Sequence, residues 1–435
     1  MNPLKALIAM KYLGFFLCFL FLGVPVIFAL LLSSGIDLAL NNQTRFYAML
    51  MQRWISGIDN FPIMALPLFI LAGEVMNAGG ITMRIVRFAE TLVGHFRGGL
   101  SYVCVLSSVI LSGGSGSAVA DASAMGSMLI PPMEKMGYPR AFSASVVAAS
   151  GILAPIIPPS TLMIVFSFSQ NVSVAAMFIG GVIPGLMLAV AIMLAIAYKA
   201  RQGVFPPVKP RASARERFDA FRAGLLPIGT PVILMACIIG GLTTPTEAAA
   251  IAVVYATVVG MFYTKELTFK GLTQVIGSAT YGAAKILIIV GVAMAFASVV
   301  SLRQTPQMVS ELVIQITDNP HILFLIVNVL LLVVGCVIDA TPAILILAPI
   351  LAPAMHEVGI HPIHFGVVMV VNLAIGLLTP PMGMVLFVTS GISRLSITTI
   401  AHAMAPIFVG LITVLLLITF FPVLVLGLPE FMGLI

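Results

Sequence analysis

Long apolar runs recur along almost the whole of this 435-residue sequence, and they limit what it can fold into. Several approach or exceed about 18 residues, the length at which a helix crosses the hydrocarbon core of a bilayer. Examples are residues 12–32, 224–242, 322–337 and 407–426. Only 8% of the residues are charged, which is too few to cover the surface of a soluble domain. The sequence therefore predicts an all-α polytopic integral membrane protein.

The basic residues indicate topology and not a nucleic-acid partner. The net charge is +6, but the positive residues are scattered among short loops, as the positive-inside rule expects. Seven Lys and Arg residues fall within 199–222, where only Glu216 and Asp219 oppose them. This segment is predicted to be a cytoplasmic loop at the middle of the chain.

Two Pro-Pro pairs interrupt apolar stretches at matching places in the two halves of the chain. The stretches read GILAPIIPPS at 151–160 and LAIGLLTPPM at 373–382, and Pro158 and Pro380 lie 222 positions apart. Proline inside a helix removes a hydrogen bond and breaks the helix, so coincident prolines are more informative than matching apolar letters. The pattern predicts an internal repeat with one broken helix in each half.

A break rich in small and polar residues precedes each broken helix, as SGGSGSAVAD at 112–121 and GCVIDATPA at 335–343. The apolar segments on either side of the first break, 100–111 and 118–130, have 12 and 13 residues. Runs of that length predict the arms of a re-entrant hairpin, whose polar tip is tolerated at mid-membrane only where protein buries it or it lines a cavity. Two hairpins and two broken helices in corresponding halves are typical of secondary transporters built from inverted repeats.

The side from which each hairpin enters the membrane follows from the basic loop. If 199–222 is cytoplasmic, counting spans backwards makes the first hairpin enter from the cytoplasm. Counting forwards places Arg303 outside and makes the second hairpin, at about 320–355, enter from the opposite face. Opposite entry is what two inverted-topology repeats require. The count also leaves the N-terminus, with Lys5 and Lys11, outside, which the positive-inside rule does not favour.

Six segments carry a resemblance to a known family. They read PLFILAGEVMNAGGI (67–81), GSGSAVADASAMG (114–126), GILAPIIPPS (151–160), GLTTPTEAAA (241–250), VIDATPAILILAPIL (337–351) and GLLTPPMG (376–383). Together they resemble the DctM-like large membrane subunit of tripartite ATP-independent periplasmic (TRAP) transporters, within the ion transporter superfamily. The resemblance runs from about residue 20 to the end of the chain.

The resemblance implies an elevator-type secondary transporter, not an enzyme, in the bacterial inner membrane and driven by a Na⁺ gradient. It also implies two protein partners. One is a separate small membrane subunit (Q type) of about four helices. The other is a periplasmic substrate-binding protein (P type) that delivers a small organic anion. Acidic sugars such as sialic acids, sugar acids and C4-dicarboxylates all fit within the family.

The repeat and the resemblance together divide the chain into five regions. Residues 1–95 and 223–318 are expected to be scaffold helices, and 200–222 the basic cytoplasmic loop. Residues 96–199 and 319–435 are expected to carry the hairpin and the broken helix of each half. As a hypothesis, these two regions move as one block past a static scaffold.

Each repeat is expected to hold one Na⁺ where its hairpin tip meets its Pro-Pro break. A broken helix leaves carbonyls without partners, and unwound carbonyls and hydroxyls are oxygen ligands suited to Na⁺. The members of the predicted first site are Ser112, Ser115, Ala154, Ile157 and Pro158. The members of the predicted second site are Gly335, Gly376, Thr379 and Met382. The apolar members would act through their backbone carbonyls.

Two acids and four hydroxyl residues complete the candidate set. Asp121 and Asp339 lie in apolar context at the hairpin tips, so we expect them to support ion binding; the alternative is that each only caps or steadies its hairpin. The residues expected to meet the substrate are Ser117, Ser160, Thr161 and Thr341. Thr341-Pro342 also fits a helix N-cap followed by Pro at the first helical position. Both readings of Thr341 stay open.

Two other classes of function are compatible with parts of the sequence. A related anion carrier coupled to Na⁺ or H⁺ would work without a binding protein, and a neighbouring gene for such a protein would separate the two. A membrane enzyme such as an intramembrane protease is disfavoured, because the sequence has no HExxH motif and no Ser/His pair within an apolar segment. The sequence also lacks GxxxxGK[ST], which disfavours transport driven by ATP.

Overall fold

A computed structural model describes residues 11–206, 210–316 and 319–435. The description does not include residues 1–10, 207–209 and 317–318, which belong to three of the predicted regions. It also does not include the side chains of residues 61–62, 113–115, 227, 310 and 312–316. The described ranges are helical, without a strand. The helices are α1 (Lys11–Phe21), α2 (Val26–Leu40), α3 (Tyr47–Ile58), α4 (Ala65–Ala78), α5 (Ile81–Val93), α6 (Gly99–Ser115), α7 (Ala118–Lys135), α8 (Arg140–Gly151), α9 (Thr161–Gln170), α10 (Val174–Arg201), α11 (Ala214–Ile239), α12 (Pro245–Val258), α13 (Phe269–Leu302), α14 (Thr305–Ile316), α15 (Pro320–Val337), α16 (Ala340–Glu357), α17 (Pro362–Gly376), α18 (Met384–Ser393), α19 (Ile397–Phe420) and α20 (Val423–Phe431).

Several of these helices are long and apolar enough to cross a membrane. Within the described residues there are six such helices, or up to eight if each of two bent pairs counts as one span. One bent pair is α4 with α5, which turn through 67° at their junction. The other lies within α11, which bends by 51°. The predicted class, an all-α polytopic membrane protein, is confirmed.

Two apolar runs that the sequence predicts as single spans are each divided. Run 12–32 ends one helix at Phe21 and begins another at Val26, because Gly23 adopts φ +79° and Pro25 has no N–H to continue the ladder. Run 407–426 is divided at Phe421-Pro422, between α19 and α20. A hydropathy profile does not detect either break, because the residues that interrupt the helices are surrounded by apolar residues.

The two halves of the chain contain the same elements in the same order. In the first half, α6 and α7 form a hairpin, α8 and α9 flank the first Pro-Pro pair, and α10 follows. In the second half, α15 and α16 form a hairpin, α17 and α18 flank the second pair, and α19 follows. Both Pro-Pro peptide bonds are cis. The predicted internal repeat, with one hairpin and one broken helix in each half, is therefore present in the fold.

The hairpin arms are longer than the apolar runs predict. α6 and α7 have 17 and 18 residues, and α15 and α16 have 18 each. α7 continues through Pro131 and Pro132 as far as Lys135, where the sequence predicts an end at Pro131. Only two residues, Gly116 and Ser117, separate the arms of the first hairpin.

The two repeats interlock. The second arm of each hairpin packs against the second half of the other repeat's broken helix: α7 lies against α18, and α16 lies against α9. The Phe166 ring meets the Phe365 ring edge to face at 6.2 Å, which joins the broken helices α9 and α17. The hairpins and broken helices therefore form one packed unit.

Helices of the expected scaffold regions also pack on one another. α13 lies against α2, α3 and α4, α12 lies against α4, and α11 lies against α5. A buried ion pair joins α2 to the end of α13, with Arg303 Nη2 2.7 Å from the Asp37 carboxylate, whose residue is only 1% exposed. The hairpin unit meets this group through α6, which contacts α4 and α5, and through α16, which contacts α13 and α14.

Candidate functional site: two contacts between hairpin tips and helix breaks

The tip of the second hairpin closes directly on the second Pro-Pro break. Gly335, near the end of α15, lies against Gly376, the last residue of α17, and both are buried. A methyl group built on Gly376 would lie 2.7 Å from the Gly335 Cα, so the two backbones touch with no room for a side chain. Beyond the break, the Gly383 N–H donates to the Cys336 carbonyl at 3.3 Å. The tip therefore contacts the break at both of its ends.

The other two members of the predicted second ion site follow within the same break. The Thr379 N–H donates to the Gly376 carbonyl at 2.9 Å, and the Thr379 hydroxyl donates to the Ile375 carbonyl at 3.2 Å. Met382 is next to Gly383, and its side chain is 49% exposed. The structure thus brings Gly335 and Gly376 into contact, and Thr379 and Met382 follow in the same break.

The first hairpin makes the corresponding contact with the first break. The Thr161 hydroxyl donates to the Gly116 carbonyl at 2.9 Å, which ties the tip to the start of α9. Gly116 has φ +58°, a conformation that favours glycine, and a methyl group there would lie 2.9 Å from Thr161 Cγ2. This contact involves the far end of the break, whereas Gly335 meets the near end.

The members of the predicted first ion site surround this break less compactly. Ser112 and Pro158 line one cavity of about 330 Å³ together with residues of α11, and the Ser112 hydroxyl donates to the Val109 carbonyl at 2.7 Å. Ala154 is fully buried within the break. The Ile157 side chain packs over Gly185 of α10. The side chain of Ser115, the fifth predicted member, lies outside the described residues.

The two acids occupy different positions at their helix starts. Asp339 is the N-cap of α16 and accepts from the Ala340 N–H at 2.9 Å. Asp121 lies in the first turn of α7, where the cap is Ser117, which accepts from the Ala120 N–H at 3.4 Å. Asp339 therefore occupies a capping position, whereas Asp121 is not the N-cap of its helix. A carboxylate in the first turn still suits the positive end of the helix dipole.

The remaining hydroxyl candidates are also at helix starts. Ser160 caps α9 by accepting from the Met163 N–H at 3.2 Å, and its hydroxyl also donates to the Pro155 carbonyl. It is fully buried, so its hydroxyl is used twice within the break itself. Thr341 is half-buried in the first turn of α16. The reading of Thr341 as an N-cap is wrong, because α16 begins at Ala340 and Asp339 supplies the cap.

A cavity lies between the first hairpin and the helices packed against it. It has a volume of about 240 Å³, and its polar lining includes Ser117 and Asp121 from the hairpin with Glu74 and Asn77 from α4. Sequence reasoning did not find Asn77 as a candidate. The sequence does contain a pattern that could have identified Asn77, since Glu74 and Asn77 are three residues apart and therefore lie on one face of an apolar helix.

Comparison with known proteins shows which family this chain resembles. The family profile described as "Tripartite ATP-independent periplasmic transporter, DctM component" matches residues 13–424. The sialic acid TRAP transporter large permease protein of Vibrio cholerae is 39% identical over 417 residues, covering 95% of this chain and 97% of the relative. The 2,3-diketo-L-gulonate TRAP large permease protein of Escherichia coli is 38% identical over 411 residues, covering 94% and 96%.

A third relative and two solved structures agree. The C4-dicarboxylate TRAP large permease protein of Pseudomonas aeruginosa is 38% identical over 375 residues, covering 86% of this chain and 88% of the relative. The YdaH transporter of Alcanivorax borkumensis has a TM-score of 0.66 at 14% identity, over 90% of each chain. MtrF of Neisseria gonorrhoeae has a TM-score of 0.61 at 11% identity, over 87% of this chain and 85% of MtrF. At these identities the two structures show a shared fold alone.

Proposed function

Because this chain belongs to the DctM family of tripartite ATP-independent periplasmic transporters, we propose that it is the large membrane subunit of a Na⁺-driven system. The system would take up a small organic anion across the bacterial inner membrane. The chain is a transporter and not an enzyme. The observation that carries the proposal is the contact between each hairpin tip and the break of its own repeat.

The residues at these contacts suit Na⁺ as a transported ion. Carbonyls at helix ends and breaks, with hydroxyls such as those of Ser112 and Thr379, are oxygen ligands of the kind that coupling ions use in transporters with broken helices. The first ion would be held by the set Ser112, Ser115, Ala154, Ile157 and Pro158. The second would be held by the set Gly335, Gly376, Thr379 and Met382. Asp121 and Asp339 would contribute negative charge near the two ions.

The substrate would bind at the helix N-termini that meet at the tips and breaks. The starts of α7 and α9 are joined through the Thr161–Gly116 bond, and helix N-termini attract anions. Three relatives are named for sialic acid, 2,3-diketo-L-gulonate and C4-dicarboxylates, all of which are anionic at neutral pH. We place the substrate beside Ser117, Ser160, Thr161 and Thr341, within this class of anions.

Movement as an elevator is supported by the packing. Because α7 packs on α18 and α16 packs on α9, a moving hairpin would carry the second half of the other repeat's broken helix with it. The regions 96–199 and 319–435 would therefore move as one block. The regions 1–95 and 223–318 would form the scaffold that binds the small membrane subunit, with 200–222 as the cytoplasmic loop between them.

Reconstitution tests the energetics and the partners together. The chain and its small subunit, in vesicles of bacterial lipid, are given radiolabelled sialic acid or a C4-dicarboxylate with the candidate periplasmic binding protein. Uptake should require both an inward Na⁺ gradient and the binding protein. Uptake without the binding protein would support the related stand-alone carrier. Uptake driven by a proton gradient in the absence of Na⁺ would overturn Na⁺ coupling.

A crosslink tests the elevator separately. Asn77 of α4 and Ala124 of α7 line the same cavity on opposite sides of the predicted boundary. With Cys18, Cys104, Cys237 and Cys336 replaced by Ser or Ala, Asn77→Cys with Ala124→Cys is joined by a short bifunctional thiol reagent. Crosslinking should stop uptake, whereas each single variant treated with the same reagent should keep it. Full uptake by the crosslinked form would reject the elevator.

A further inference from the structure

A chain of buried polar side chains joins three helices of the second repeat. The Asn372 amide on α17 donates to both the backbone carbonyl and the side-chain Oδ1 of Asn328 on α15, at 3.0 and 2.7 Å. The Asn328 amide donates to the Thr419 hydroxyl on α19 at 2.9 Å, and that hydroxyl donates to the Leu415 carbonyl at 2.7 Å. Asn372 is fully buried, and Asn328 and Thr419 are each 2% exposed. Such groups are expensive to bury, so their bonds hold the helices in one arrangement.

The direction of every bond in this chain is fixed. The Thr419 hydroxyl has one hydrogen and donates it to a carbonyl, so it can only accept from Asn328. Asn328 must then present its oxygen to Asn372, which has to donate. Turning the Asn372 amide round would set its oxygen against two acceptors. Asn372 is therefore locked as a donor to α15, and its own Oδ1 has no hydrogen-bond partner among the residues that the structure describes.

Asn328, Asn372 and Thr419 together form a clamp between α15, α17 and α19. This clamp lies close to the tip–break contact of the second repeat. Asn328 and Gly335 lie seven residues apart on α15, which is two helical turns and hence the same face. Asn372 precedes Leu373, and a methyl group built on Gly335 would lie 3.2 Å from the Leu373 carbonyl oxygen. The clamp thus fixes the register of α15 against α17 within two turns of the place where Gly335 meets Gly376.

We propose that Asn372 is a positioning residue for the second ion site. Through Asn328 it holds the hairpin arm at the register that brings Gly335 and Gly376 together, so that their backbone oxygens are arranged for Na⁺ before the ion arrives. The inference rests on the proposed function, because it assumes Na⁺ at this contact. Asn372 itself need not touch the ion.

The test is a Na⁺ titration of thermal stability, which needs no substrate. The chain, purified with its small subunit, is melted in mixtures of NaCl and KCl at constant ionic strength. The quantity compared is the Na⁺ concentration that gives half of the maximal rise in melting temperature, because ligands stabilise the folded state by mass action. Each variant is referred to its own melting temperature in KCl, which separates ion binding from a general loss of stability.

Asn372→Leu should raise the half-saturating Na⁺ concentration by about tenfold or more, since it removes both bonds to Asn328. Asn372→Ser is smaller, keeps one donor, and serves if the Leu variant does not fold. Thr419→Val and Thr413→Val are compared on α19, where Thr419 is buried and Thr413 is exposed. Each loses a hydroxyl bonded to the carbonyl four residues before it, but only Thr419 also accepts from Asn328. Thr419→Val should raise the half-saturating concentration, and Thr413→Val should leave it unchanged.

The outcomes separate this inference from the proposed function. If both Asn372 variants melt earlier in KCl but keep the wild-type half-saturating concentration, the clamp is only structural and the inference is wrong. If Thr413→Val shifts that concentration as much as Thr419→Val, the effect belongs to α19 in general and the clamp is again rejected. If the wild-type protein shows no Na⁺-specific rise, Na⁺ binding itself fails, and the inference fails with it.

Discussion

The contact between Gly335 and Gly376 makes a substitution by alanine unusually informative. A methyl group on Gly376 would lie 2.7 Å from the Gly335 Cα and 2.8 Å from its carbonyl carbon. Carbon atoms pack at about 3.5–4.0 Å, so the hairpin tip has to move away from the break by about 1 Å. Backbone lies on both sides, so no flexible side chain can absorb the movement.

The expected size of the effect follows from this displacement. Overpacking of a close-packed site costs about 1–3 kcal/mol, and alanine in place of glycine at the end of a helix returns only part of that. The effect on Na⁺ affinity should be larger than this effect on stability, because ligand distances in metal sites vary by only about 0.2 Å. We therefore expect Gly376→Ala to raise the half-saturating Na⁺ concentration by at least about tenfold, which corresponds to about 1.4 kcal/mol.

The chain supplies a graded series of controls. At Gly335 an added methyl would be 3.1 Å from the Gly376 Cα, so Gly335→Ala should be milder than Gly376→Ala. At Gly391, on the neighbouring helix α18, an added methyl would meet nothing within 4 Å. Gly391→Ala should therefore leave Na⁺ binding unchanged and stabilise the helix by about 0.5–1 kcal/mol.

Two measurements check the series: melting temperature in Na⁺ against K⁺, and uptake driven by a Na⁺ gradient. The loss of Na⁺-specific stabilisation and of uptake should be largest for Gly376→Ala, smaller for Gly335→Ala and smallest for Gly391→Ala. Wild-type Na⁺ dependence in Gly376→Ala would refute the assignment of an ion to this contact, even if the variant melted earlier. Equal losses in all three variants would mean that the close approach of the two backbones has no part in the effect.

Substitutions at three further residues test other contacts. Thr161→Val removes the 2.9 Å bond to the Gly116 carbonyl and should destabilise the protein by about 0.5–1.5 kcal/mol and reduce uptake, while Thr161→Ser should keep both near wild type in the same melting and uptake assays. Asp339→Ala should lower the free energy of unfolding by about 0.5–2 kcal/mol through loss of the cap, and it should also lose the Na⁺-specific stabilisation. Asp339→Asn should keep the cap and lose only the Na⁺-specific stabilisation. Equal Na⁺ titrations for Asp339→Asn and the wild type would limit this residue to capping. Asp37→Ala should cost about 3–5 kcal/mol by leaving the Arg303 guanidinium buried without its ion pair, measured as earlier melting with an unchanged half-saturating Na⁺ concentration.

Local helix-breaking chemistry is what made much of the fold predictable. The Pro-Pro pairs and the small polar tips fix where helices stop, whatever the surrounding structure does, and the breaks at Pro158 and Pro380 lie where the sequence predicts them. The resemblance to TRAP large subunits, carried by the same segments, is confirmed by the family profile and the relatives. The division into five regions and the site residues themselves remain predictions.

The lengths of the hairpin arms could not be read from hydropathy. α7 continues through Pro131 and Pro132, where a proline rule predicts an end. Proline inside a membrane helix is tolerated when neighbouring helices and local adjustments satisfy the freed carbonyls, and here α8 and α18 pack along α7. That compensation depends on the tertiary structure and leaves no local signature.

The pairing of residues and helices that are distant in the chain was also beyond a sequence pattern. Nothing near Asn372 indicates that its amide reaches Asn328, because the two residues lie 44 positions apart and each looks like a lone polar residue in an apolar helix. The same holds for the packing of α7 on α18. Periodicity locates helices and their faces, but the neighbour that covers each face is decided by long-range packing.

The close contact of two glycines has a competing explanation, since small residues also mediate ordinary helix packing in membranes. Position within the helices decides between the two. Gly335 lies two residues before the end of α15, and Gly376 is the last residue of α17, so two helix C-termini approach each other at this point. Each C-terminus carries a partial negative charge, which the bonds accepted by the Gly376 and Cys336 carbonyls reduce but do not remove, so bringing two together is unfavourable in a low-dielectric interior. A cation bound between the two ends would reduce this repulsion, which is an electrostatic reason to predict an ion site at this contact.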